Sequence, residues 1–148
     1  MRRRHARAPA TAALAALLAG CVPASPDTDT YDDKAAQTLG SAVSDVRTVQ
    51  RLLETSYDGR MLRPTAIAQL RYSEDALDTA TKAFTELNPP PQRDRLNTRV
   101  STLLGDAGDL LAEARVAVER RNRPDYPGLA KDLDALAADL EKVEGRVR

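Results

Sequence analysis

Cysteine, histidine and phenylalanine each occur once in this 148-residue chain, and tryptophan not at all. A lone thiol, Cys21, has no disulfide partner within the chain, and a lone imidazole, His5, cannot build a Cys/His zinc site. One Phe and four Tyr are too few for a broad platform that stacks sugars. Nor is there a long apolar segment. The run Ala10–Ala19, interrupted by Thr11, is about half the ~20 residues a membrane-spanning helix needs. Neither charge dominates, with 22 basic and 22 acidic residues.

What is present begins with an ordered N-terminus. Arg2, Arg3, Arg4 and Arg7 form a basic start around His5, the Ala/Leu-rich run follows, and Leu18-Ala19-Gly20-Cys21 closes it before a polar segment containing prolines. The tetrapeptide resembles the lipobox of bacterial lipoproteins. That resemblance implies a diacylglyceryl group on the Cys21 sulfur, cleavage before Cys21, and N-acylation as a further step. It places the mature protein on the outer face of a bacterial cytoplasmic membrane, held there by lipid on Cys21. Two or three acyl chains anchor stably where one is marginal. A competing reading takes Val22-Pro23-Ala24 as an ordinary secretory cleavage site and releases a soluble protein. The arginines are a weak match to twin-arginine export, because His5-Ala6 stands where apolar residues are usual.

Removing residues 1–20 takes away four of the 22 basic residues and no acidic one. The mature 128 residues then carry 18 against 22, a net charge of −4. That argues against a nucleic-acid footprint, which needs a basic patch or stripe. Maturation also removes His5 and commits Cys21 to lipid, which excludes His-dependent triads. No metal site and no cofactor are expected.

Residues 21–30 read as the lipidated cysteine and a flexible tether, and 31–148 as one helical domain. The first helix is expected over Asp32–Tyr57, with Thr30 as N-cap and an apolar face of Leu39, Ala42, Val46, Val49 and Leu53. Asp58-Gly59 ends it. Pro64 suits the first turn of a second helix reaching Asn88, with Ile67, Leu70, Leu77, Ala80, Phe84 and Leu87 inward and Ser73 filling one inward position. Pro89-Pro90-Pro91 stops that helix. A third is expected over Gln92–Arg121, with a face of Leu96, Val100, Leu103, Ala107, Leu110, Ala114 and Ala117 widened by Leu104, Leu111 and Val118. Asp125 caps a fourth, whose seam is Leu129, Leu133, Leu136, Leu140, Val143 and Val147. Four amphipathic helices on short connections predict an all-α, up-down-up-down four-helix bundle. A three-helix bundle with a loosely attached first helix is the alternative.

This topology sorts the loops. Chain entry, the proline turn and the C-terminus share the end near the membrane, whereas Tyr57–Arg63 and Arg120–Tyr126 share the far end. The far end gathers Tyr57, Arg60, Arg63, Arg120, Arg121, Arg123 and Tyr126, residues suited to carboxylate or phosphate and to ring stacking. The plainer reading, which the sequence favours, is that the arginines offset the negative end of the third helix. A second candidate is a small-residue strip on that helix, with Ser101, Gly105, Gly108 and Ala112 following Thr98. It suits close approach by another helix, and ordinary compositional drift explains it more simply. At the membrane end Asp27, Asp29, Asp32 and Asp33 face Arg93, Arg95, Arg146 and Arg148, a solvated mixed surface. Asp132, Asp134, Glu141 and Glu144 read as solubilising charges on the fourth helix.

The expected function is a non-enzymatic, lipid-anchored module acting by protein or cell-envelope contact. The alternative is a binding protein for an anionic small molecule or wall polymer, using the far-end arginines. The partner beyond the membrane, an envelope protein or polymer, is not named by any residue pattern.

Overall fold

Asp27 opens the first helix. Its carboxylate accepts the Thr30 backbone N–H at 2.7 Å, satisfying one of the donors that a helix start leaves without an intrahelical partner. In the computed structural model, which describes residues 26–148, α1 runs Thr28–Tyr57. It therefore starts ahead of the expected Asp32, and Thr30 is capped rather than capping. Aspartate ranks above threonine as an N-cap, and that preference draws Thr28-Asp29-Thr30 out of the tether into the helix. The signal residues Leu18, Ala19, Gly20 and Cys21 lie outside the described residues.

The other boundaries follow from prolines and tight turns. α2 covers Arg63–Thr85 with Pro64 in its first turn. It stops short of Asn88, because Leu87 N–H turns back to the Phe84 carbonyl at 3.1 Å and three prolines follow. Pro91–Arg93 forms a 3-10 turn, so α3 spans Asp94–Arg120 rather than beginning at Gln92. A second 3-10 turn, Arg123–Asp125, leads into α4, Tyr126–Val147. Asp125 makes no side-chain cap. Its carboxylate accepts from the Asn122 side-chain amide instead.

These helices form an all-α, up-down-up-down four-helix bundle. α1 packs against α2 and α4, α3 packs against the same two, and α1 faces α3 across the diagonal. The whole expected face of α1 is buried, as are Leu129, Leu133, Leu136, Leu140 and Val143 of α4. Ser73 fills its inward position on α2 and is 1% exposed. The loosely attached first helix does not occur. Tyr31 is fully buried at the start of α1, donates its hydroxyl to Asn97 Oδ1 at 2.9 Å, and tilts against Phe84 with ring centroids 5.7 Å apart. One aromatic side chain thus ties α1 to α2 and α3 together. Arg47 of α1 pairs with Asp134 and Glu141 of α4, so two of the expected solubilising carboxylates bridge helices instead. Among the described residues, no helix is long and apolar enough to cross a membrane.

Candidate functional site

Two helices end at the far tip, and both end the same way. At the close of α1, Gly59 N–H bonds the Ser56 carbonyl at 3.1 Å and Arg60 N–H bonds the Thr55 carbonyl at 3.0 Å, with Gly59 at φ 73°. At the close of α3, Arg121 N–H bonds the Val118 carbonyl at 3.2 Å and Asn122 N–H bonds the Ala117 carbonyl at 2.9 Å, with Arg121 at φ 58°. This paired pattern satisfies the last carbonyls of a helix and requires a left-handed residue, normally glycine. α1 supplies that glycine. α3 supplies an arginine.

Between these two ends lies a cleft of about 320 Å³. Arg63, Arg121 and Arg123 line its exposed side, while Ala66, Val118 and Tyr126 are buried and Met61 half-buried beneath them. Arg63 donates to the Glu119 carbonyl at 3.3 Å. Arg123 donates to the Tyr57 carbonyl and stands over the Tyr57 ring, 5.8 Å from its centroid. Backbone oxygens hold these two guanidiniums, so their charge stays uncancelled. Among the described residues no carboxylate pairs with Arg63, Arg121 or Arg123.

Two hydroxyl groups complete the cleft. Burial pushes the Tyr126 phenol above its ordinary pKa, against a downward pull from Arg123 and Arg63. It therefore remains a neutral donor at physiological pH. Ser56 also lines the cleft, and its Oγ is buried with no hydrogen-bond partner among the described residues. Five threonine hydroxyls on the helices turn back to the carbonyl four residues earlier, those of Thr48, Thr55, Thr79, Thr98 and Thr102. Ser73 Oγ in the core is, like Ser56 Oγ, buried without a partner among the described residues.

Of the seven residues expected at this end, Arg63, Arg121, Arg123 and Tyr126 meet at the cleft, and Tyr57 holds Arg123 beside it. Arg60 instead pairs with Asp58 at 2.7 Å, and Arg120 lies in the last turn of α3, outside the lining. Ser56, Met61, Ala66 and Val118 escaped the sequence reading as site residues. Val118 and Ala66 carry only a core signal, and nothing in the sequence marks a serine as unpartnered.

The small-residue strip is arranged differently from the helix contact considered above. Gly105, Gly108 and Ala112 floor a groove between α2 and α3, closed at one side by Arg115, which holds Glu74 at 2.8 Å and Glu119 at 3.1 Å. Ser101 and Thr98 lie outside that lining. A Cβ placed on Gly105 or Gly108 meets nothing within 4 Å, so no helix of the bundle requires either glycine. At the opposite end Arg93 holds Asp32 at 2.7 Å and Arg148 holds Glu144 at 2.6 Å, while Asp29, Asp33, Arg95 and Arg146 form no ion pair among the described residues. No group of three potential metal ligands occurs among the described residues. Comparison of the chain with protein-family models, with characterised proteins and with solved structures finds no match.

Proposed function

We propose that the protein is a lipid-anchored, non-enzymatic binding module of the bacterial cell envelope that captures an anionic partner at its membrane-distal tip. One observation carries this reading: three arginines converge on one cleft without carboxylate partners. Holding like charges together costs free energy unless an anion offsets it, and guanidiniums positioned beforehand bind carboxylate or phosphate in fixed geometry. A guanidinium fixed to a backbone carbonyl keeps donors free for a ligand. Lipid on Cys21 supplies the anchor in this reading, and the tip is the surface turned away from it.

Isothermal titration of the full chain, in detergent micelles, with a poly(glycerol phosphate) tests the proposal. Arg63→Ala combined with Arg121→Gly should weaken binding at least tenfold, because hydrogen bonds to charged groups contribute about 1.5–3 kcal/mol each. Arg120→Ala, outside the cleft, should leave it unchanged. No binding by the wild type, or equal loss in Arg120→Ala, would overturn the reading. Contact with an acidic protein is the second reading, favoured by Leu62 and Tyr57 at the same tip, which are 75% and 47% exposed. Tyrosine and arginine are the residues that anchor such contacts.

A further inference from the structure

We infer that the tip cleft takes a small anion joined to an apolar body, an aryl or branched-alkyl phosphate or carboxylate, in preference to a bare anion. This rests on the reading of the cleft as an anion site and names the ligand class.

Charge and apolar surface are separated by depth. Arg63, Arg121 and Arg123 stand exposed at the rim, whereas Ala66 is fully buried, Val118 is 1% exposed and Tyr126 is 4% exposed at the floor. A bare anion meets the rim alone, whereas an apolar body on the ligand leaves water by packing on half-buried Met61 above that floor. Burying apolar surface there is favourable in proportion to its area. The volume, about 320 Å³, lies at the low end of small-molecule sites and suits one ring with one charged group.

Two polar features fit the same occupant. Ser56 Oγ is buried at the lining without a partner, a condition that costs free energy until a ligand or water satisfies it. Arg121 occupies a left-handed position where its counterpart on α1 is Gly59. Strained backbone of this kind clusters at ligand-binding sites, and Arg121 lines the cleft. Together they describe one site with an anion-binding mouth, an apolar floor and a hydroxyl still to be bonded.

Three probes separate the possibilities in titrations of the full chain in non-ionic detergent: inorganic phosphate, phenyl phosphate and benzyl alcohol. Phenyl phosphate should bind about tenfold tighter than inorganic phosphate, the effect of burying about 60 Å² of apolar surface. Benzyl alcohol should not bind measurably. Met61→Ala, a half-buried loop position whose loss leaves the helices intact, should weaken phenyl phosphate severalfold and leave inorganic phosphate unchanged. Arg121→Gly should weaken both anions. Equal affinity for the two phosphates overturns the apolar-body inference and leaves the anion site standing. Equal weakening of both by Met61→Ala removes the floor contact and overturns it as well. Binding of neither anion, or of benzyl alcohol as tightly as phenyl phosphate, overturns the anion reading and this inference with it.

Discussion

Arg121 shows how one residue ties stability to recognition. A non-glycine residue in the left-handed region brings its Cβ against the neighbouring backbone, at about 1 kcal/mol or more. The C-terminal hydrogen-bond pattern of α3 forms all the same, so the rest of the bundle sustains the strain. Arg121→Gly relieves it and should stabilise the protein by about 1 kcal/mol in thermal or denaturant unfolding, while Arg121→Ala, still with a Cβ, should not. The same Arg121→Gly variant should bind phosphate more weakly. Stability and binding moving in opposite directions is the signature expected of a side chain kept for its ligand. If Arg121→Gly neither stabilises nor weakens binding, the residue serves neither end.

At the scale of the helix, periodicity carries most of the information. The α1 and α4 seams were legible because burial repeats every three or four residues, and side chains at that spacing share one face. Helix ends were less legible. Asp27 and Thr30 are both good caps, and only the geometry of the first turn decides between them. The cleft was half legible: its arginines follow from two loops meeting at one end, while Ser56 and Val118 belong to faces that read as ordinary helix. Gly105 and Gly108 are the opposite case, conspicuous in sequence and unconstrained in the fold. Since an added Cβ meets open space at either, Gly105→Ala and Gly108→Ala should each stabilise by about 0.5–1 kcal/mol. Differential scanning calorimetry should show a rise in Tm of a few degrees for each. A fall in Tm, or a change in association state by sedimentation, would instead mark that groove as a contact surface.

For the molecule as a whole, the proposed anchor makes a direct prediction. Cys21→Ser removes the thiol that lipid modification needs and should move the protein from the membrane fraction to the supernatant on cell fractionation. Retention in the membrane fraction would show that something other than Cys21 holds it. The bundle itself sets the remaining geometry. α1 has 30 residues and is therefore about 45 Å long, and it runs from the chain entry to the rim of the cleft. Under the proposed lipid anchor, a site carried on a rod of that length explores a shell only a few nanometres deep above the membrane surface. Anything fixed in the same surface within that shell meets the cleft at an effective concentration of about a millimolar. A grip too loose to serve a freely diffusing receptor is then strong enough, and nearness does the rest.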